Sequence, residues 1–568
     1  MAPDNSHDDN MIFRLVFISI LSLLLLACQQ ASTPAKTTEA APKPDDTYIA
    51  RNIQAHMDFL ADDLMLGRDT GSVEYEIAAR YVASQMAQVG VQPAGDTKGD
   101  NQSWFQSVPF VRASIVPDSV KVEVTNQDGV NELAYVEEVL STANPVSEMD
   151  QVLADVVFVG YGIESDEMNY NDYENLDVKD KIVMVLTGRP SYFPSEEGAH
   201  LASKKNKIFT AIKHGAIGYV AIHTPEMEKR RKFAKLKEHA NKPSVRWKNE
   251  AGQVYAYHEQ MKAISYLSTD AGHKVFSLAG QDLDSVLNAI ADNENPVGFD
   301  MGIQMSISLQ SKHETIFSSN VVGVLEGSDP TLKNEYVVYS AHLDHIGHEE
   351  HDDDSDGINN GALDNASGIA IMLETARLYS QVNRPARSIL FVAVTAEEKG
   401  LLGSSYFATH PTVPVDSMVA NINLDMPLIL YPFADVIAFG AQHSTMAGMV
   451  EKAAANHEIQ LTPDPMPNQA LFVRSDHYSF VQQGIPSIFL VPGFNSKDPD
   501  INGQELFMNF IRHHYHQPSD SMNLPINFEA GKTFTLVNFE IGREIANSKQ
   551  RPRWHEGDYF GELFGRKK

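Results

Sequence analysis

The chain has 568 residues, 43% of them apolar, enough to bury more than one core and too many for a disordered chain. With 45 basic and 75 acidic residues the net charge is −30, which argues against nucleic acid and anionic membrane surfaces as partners. There is one cysteine, Cys28, so no internal disulfide can form.

That cysteine closes the first element. Met11 to Ala27 is an apolar run behind Arg14, the shape of a secretory signal peptide. Its end, Leu25-Leu26-Ala27-Cys28, resembles a bacterial lipobox, in which the cysteine is lipidated and becomes the first mature residue. The run is short for a membrane span, and a polar tether rich in Ala, Thr, Pro and Lys follows over residues 29–45. Residues 1–28 are therefore expected to be a signal peptide with lipobox. The expected location is the bacterial cell envelope, lipid-anchored, with Gln29 after the cysteine pointing to the outer membrane. The acidic segment Met1 to Asn10 is unusual ahead of a signal peptide, so Met11 is an alternative start.

Beyond the tether, Ile53 to Leu60 and Val73 to Val89 read as helices, joined through the turn Gly67-Arg68-Asp69-Thr70-Gly71. In the second helix Ile77, Tyr81, Ser84 and Met86 to Val89 are expected to form the packed stripe, with Gly90 as the stop. From about 145 to 290 short buried strands appear (Val156 to Val159, Ile182 to Leu186, Ala216 to Ile222) with a helix at Lys207 to His214. Gly160-Tyr161-Gly162 lacks the third glycine and the helix start of a phosphate loop. The basic run from Lys229 to Lys237 reads as a solvated helix face.

The stretch from Tyr336 to Asp364 organises the rest. Tyr336-Val337-Val338-Tyr339-Ser340 is a buried strand that stops at Ala341-His342-Leu343-Asp344-His345. After an acidic loop, Asn359 to Gly368 contains Asp364 and opens an apolar helix. A strand ending in His-x-Asp beside a helix that starts near Asp places an imidazole and a carboxylate at one sheet edge, where open α/β sheets bind ligands. His and Asp without cysteine suit zinc or a similar divalent metal. Asp344, two residues past His342, is placed to orient that imidazole without itself binding the metal. Later strands (Ser388 to Val394, Met418 to Leu424, Val436 to Phe439, Ile485 to Val491) alternate with helices and end at Phe528 to Asn547. Two of them run into Glu397-Glu398 and Asp425. Burying paired glutamates at the end of an apolar strand is costly unless they work.

Other readings fail on their spacing. Asp352, Asp354 and Asp356-Gly357 mimic a calcium loop, but its twelfth position is Leu363. Ser475-Asp476-His477 cannot be a serine relay, because adjacent residues cannot meet as one; His477 reads as structural. His345, His348 and His351 recur every three residues and are candidate ligands, with solvent exposure in a polar loop expected for the last two.

The motifs His-x-Asp-His, Asn-Gly-Ala-Leu-Asp-Asn-Ala-Ser-Gly, Ala-Glu-Glu-x-Gly-Leu-x-Gly-Ser, Asn-x-Asp-Met, Arg-Ser-Asp-His-x-x-Phe and Tyr-His-x-Pro-x-Asp occur in that order. Together they resemble the co-catalytic dizinc aminopeptidases of peptidase clan MH, which include relatives of glutamate carboxypeptidase. The resemblance implies an α/β fold with a mixed, mostly parallel central sheet flanked by helices. It implies a peptidase domain in two parts, 46–145 and 291–550, around a smaller protease-associated insert at 146–290, with a tail at 551–568. It implies two divalent metal ions per chain, zinc by analogy. One would sit on His342 with Glu398 or Asp425, and the second on the remaining acid and His516, with Asp364 bridging. Glu397 would be the general base, and Arg474 and Tyr515 would hold the oxyanion. The implied activity is removal of N-terminal residues from peptide substrates. A carboxypeptidase or a one-zinc glutaminyl cyclase on the same fold is the alternative, and the five-residue ligand set weighs against the cyclase. A non-catalytic receptor of this build would have lost ligands, and this chain has lost none.

Overall fold

The computed structural model describes Met1 and residues 43–349 and 355–566. The leader with Cys28, most of the tether, and His351, Asp352 and Asp354 lie outside those residues. No helix among the described residues is long and apolar enough to cross a membrane.

The elements that position the site come in this order. Helices α1 (Ile49–Leu60) and α2 (Val73–Gln88) lead to strand β1 (Phe105–Ile115). Strands β2 (Lys121–Asn126), β3 (Met149–Phe158) and β4 (Ile182–Leu186) follow, then helix α3 (Ser195–Ala202) and strands β5 (Gly218–Ile222) and β6 (Ala263–Leu267). A long strand β7 (Phe299–Leu325) precedes β8 (Tyr336–His342), α4 (Ser367–Gln381), β9 (Ser388–Val394) and β10 (Met418–Asn423). Strands β11 (Asp435–Phe439) and β12 (Ser487–Pro492) and helices α5 (Phe528–Asn547) and α6 (Tyr559–Phe564) complete the set.

The central sheet is mixed and mostly parallel. β8 lies between β9 and β10, parallel to both, and β10 pairs parallel with β12. β11 and the end of β7 are the antiparallel members, on β12 and β9. Helices α1, α2, α4 and α5 cover one face in a single apolar cluster with Tyr339, Tyr379 and Phe391. Phe407 and Phe480 cover the other face against Val338, Leu390 and Val392. Both faces being covered explains why β9 is buried at every position and reads as an unbroken apolar run.

Two readings of the chain differ from the structure. In α2 the buried residues are Tyr75, Ala78, Ala79, Val82, Ala83 and Met86, whereas Ile77 is 45% exposed and Ser84 faces solvent. Met86 is buried as expected and Tyr81 and Val89 pack against the core, but small alanines take the places expected of Ile77 and Ser84. Strand β7 does not appear in the sequence reading. Its first half pairs with β2 and β3 and its second half with β1 and β9, so one strand belongs to two sheets. The smaller sheet, in which β3, β4, β5 and β6 run parallel, has its own core that draws on Val120, Val122, Val124 and Leu133. That core thus reaches back before residue 146, into the stretch assigned from sequence to the first peptidase segment.

Candidate metal centre

Three strand ends build the site. The registers His342↔Val394 and Ser340↔Asn423 set the carboxyl ends of β8, β9 and β10 side by side. Each strand is buried over most of its length and ends in polar groups at that edge: His342, Glu397 with Glu398, and Asp425. Asp364 comes from the irregular turn Ala362–Ala366 ahead of α4. Gly361 enters that turn at φ 61, and a Cβ there would stand 2.7 Å from the His345 ring, so a side chain would displace the imidazole. His516 comes from the turn after the helix Gly503–His513.

These side chains meet. Asp364 Oδ1 is 3.2 Å from His342 Nε2, and Asp425 Oδ1 is 3.1 Å from the same nitrogen. Asp364 Oδ2 is 3.3 Å from His516 Nε2, which is 3.1 Å from Glu398 Oε2. The two oxygens of Asp364 therefore face different partner sets, with Asp425 beside His342 and Glu398 beside His516. His345 is fully buried and joins the second set, its Nδ1 2.8 Å from Glu398 Oε1 and 3.8 Å from Asp364 Oδ2. His348 is exposed. The donors are nitrogen and oxygen only, and the buried Asp364 Oδ2 and His516 Nε2 have no hydrogen-bond partner of good geometry. Such a set fits divalent cations of the zinc type.

Residues 320–540 match peptidase family M28. That span is similar to the M28 peptidases. All eight site residues named above from the motifs, from His342 to His516, lie in the matched span. Aminopeptidase NAALADL1 of Mus musculus is 33% identical over 134 residues, 22% of this chain and 16% of that protein. Aminopeptidase YwaD of Bacillus subtilis is 35% identical over 111 residues, 19% of this chain and 22% of that protein. The chain thus matches under a quarter of the length of either relative. The solved aminopeptidase from Aneurinibacillus sp. strain AM-1 aligns over 88% of this chain and 95% of that one, with a TM-score of 0.50 at 18% identity, a likeness of fold.

A second ring of groups holds these side chains in place. Asp344 does this differently from the sequence expectation. Its backbone carbonyl, not its carboxylate, accepts from His342 Nδ1, at 3.0 Å. Its carboxylate accepts the N–H groups of Glu397 and Glu398, at 3.1 and 3.3 Å, and the Thr70 hydroxyl, at 3.2 Å. The reason is reach: two residues past the strand end, the Asp344 side chain points across to the β9 turn while its carbonyl remains beside the imidazole. Asp520 accepts from Leu363 N–H and Asp364 N–H, at 2.9 and 3.0 Å. Ser475 donates to Asp425 Oδ2 at 2.5 Å and accepts from Asn423, which accepts from Ser340. Asn365 donates to the carbonyls of His342 and Leu424, tying two strand ends together.

Burial and charge set the protonation. Burial pushes the Glu397 carboxyl well above the usual range, helped by Glu398, Asp476 and Asp425 and opposed by His342. Burial and Asp364 also push Glu398 up, but hydrogen bonds from His345 and His516 bring it to about 2. The two neighbouring glutamates thus sit in different surroundings, Glu398 between two imidazoles and Glu397 among acids. Tyr515 stacks on His516 with ring centres 3.9 Å apart, and burial raises its hydroxyl. Arg474 is exposed on the turn after Leu471–Val473, and its charge opposes that rise of Tyr515. His477 is buried among Phe472 and Phe489, and burial lowers it to about 3, so it is a neutral packing group.

His345, Ser475, Asp520, Asn365 and Thr70 are the functional neighbours that sequence reasoning left unassigned. All but Thr70 lie inside the six motifs, but most of their partners come from other motifs: His345 meets Glu398, Ser475 meets Asp425, and Asp520 meets the Asp364 turn.

Proposed function

We propose that this M28-like domain is a dizinc aminopeptidase that removes N-terminal residues from peptides. The observation that carries this reading is Asp364, whose two oxygens each face a separate histidine and a separate acid. His342, Asp364 and Asp425 would hold one ion, and Asp364, Glu398 and His516 the other. When bound, the two ions would polarise the scissile carbonyl and lower the pKa of a shared water. Glu397 supplies the proton handling. Half-buried next to Glu398, its carboxylate would take the proton of the attacking water, and the resulting acid would give it to the leaving amine. Tyr515, stacked on His516, and Arg474 would meet the negative charge that develops on the carbonyl oxygen.

We further read the smaller core as a protease-associated insert, on its position between the two parts of the peptidase. The leader ending at Cys28 supports a lipid-anchored place on the bacterial cell envelope, so the peptides would be met outside the cytoplasm.

A panel of fluorogenic aminoacyl substrates, free and N-acetylated, tests the activity. A site that pairs a buried group with the free amine discriminates by up to about 10⁴ when that partner is missing. Cleavage of free substrates and inertness toward blocked ones are expected. Equal turnover of both would refute the aminopeptidase reading.

A further inference from the structure

We propose that Arg68 is a positioning residue that clamps both metal loops in place before any ion arrives; this rests on the dimetal reading above. Arg68 lies in the turn before α2, 1% exposed, with no carboxylate at ion-pair distance among the described residues. Its guanidinium is satisfied by carbonyls alone. Nε donates to Leu343 O at 3.0 Å, Nη1 to Asn360 O at 2.7 Å and also to Leu60 O, and Nη2 to Gly361 O at 3.1 Å. Leu343 lies between His342 and Asp344, and Asn360 and Gly361 run directly into the Asp364 turn. One planar fork therefore joins the loop that presents His342 and His345 to the loop that presents Asp364.

The backbone around Arg68 does the same. Arg68 O accepts from His345 N–H at 3.3 Å, and Gly67 O accepts from Gly347 N–H at 3.1 Å. A Cβ on Gly67 would stand 2.5 Å from the carbonyl oxygens of both Asn359 and Gly347, so the turn is pressed onto both loops. Asp69 holds Lys399 at 2.7 Å, and Thr70 reaches Asp344.

The need for such a clamp follows from charge. Asp344, Asp364, Glu398 and Asp520 converge on one buried site, where like charges repel strongly at low dielectric. Each of them faces the Arg68 charge. A fixed buried cation with directed donors offsets that repulsion and fixes the carbonyls that flank the ligands. Groups that orient ligands from outside the coordination sphere typically account for 10–100-fold in metal affinity. A lysine keeps the charge but has one nitrogen, which cannot span carbonyls of three segments.

The test is a zinc titration of the full chain against a chromophoric chelator, comparing wild type, Arg68→Lys and Arg68→Ala, with thermal melts of the zinc-free proteins alongside. Arg68→Lys is expected to bind both zinc ions about 10–100-fold more weakly. Added guanidinium is expected to restore part of the affinity of Arg68→Ala. If Arg68 only supports the fold, its variants melt earlier yet bind zinc as wild type does, and that result would overturn the proposal. Should Arg68→Ala not fold, Arg68→Lys alone decides, since wild-type affinity there also overturns it. A wild-type chain that takes up no zinc would instead sink the dimetal reading itself.

Discussion

Loss of the His345 ring should weaken one metal and spare the other. His345 Nδ1 is 2.8 Å from Glu398 Oε1, and both side chains are buried. A hydrogen bond to a charged group contributes about 1.5–3 kcal/mol, and about 1.4 kcal/mol is a factor of ten in affinity. Replacing His345 by Leu keeps most of the volume and removes both nitrogens. The ion held by Glu398 and His516 should then bind about 10–100-fold more weakly. His345 faces Glu398 and Asp364, so the ion that His342 and Asp425 would hold should keep its affinity. Stepwise zinc titration against a chelator resolves the two constants. Unchanged affinity at both sites, or loss confined to the His342 side, would refute the assignment of His345 to the second set.

Two other predictions concern the rest of the chain. His443 lies between Glu196 of α3, 2.7 Å from its Nε2, and Asp558 ahead of α6, 2.5 Å from its Nδ1. Burial opposes its charge, but the two carboxylates outweigh burial and raise it from 6.5 to about 9. A raised folded pKa stabilises fully below the unfolded value and is lost as pH climbs through the folded one. Stability should therefore fall by at most about 3 kcal/mol between pH 6.5 and 9. His443→Gln should flatten that part of the melting-temperature profile, and an unaltered slope would contradict the ion-pair reading. At the other end of the chain, Cys28→Ser should move the protein from the membrane fraction to the soluble fraction, and unchanged partitioning would rule out the lipid anchor.

Much of the fold was legible because the central strands are buried on both faces. Ser388–Val394 and Phe528–Asn547 stand where their apolar patterns put them. The long strand β7 also carries a period-2 pattern, with Met301, Ile303, Met305, Ile307 and Leu309 all buried. Its partners lie up to about 200 residues away, so nothing local announced that it would join two sheets. Around α2, Met86, Tyr81 and Val89 pack as their pattern suggests, while Ile77 and Ser84 turn outward because alanines fill the close contact. The ligand types at the site were readable as acids and bases where apolar strands stop. Their division was not, because it depends on which strand lies beside which: β10 next to β8 brings Asp425 to His342, leaving Glu398 for His516. Asp344 shows the same limit, since sequence spacing cannot tell whether a side chain or its own carbonyl meets the imidazole.

The most direct measurement is zinc content and kcat determined together on Glu397→Gln. Glutamine keeps the size and hydrogen bonding of the side chain and removes the base. Two zinc ions per chain, retained binding of a substrate-like inhibitor, and a kcat lowered by about 10² or more are expected. If Glu397→Gln instead loses a zinc ion while Glu398→Gln keeps both and loses only rate, the roles of ligand and base must be exchanged.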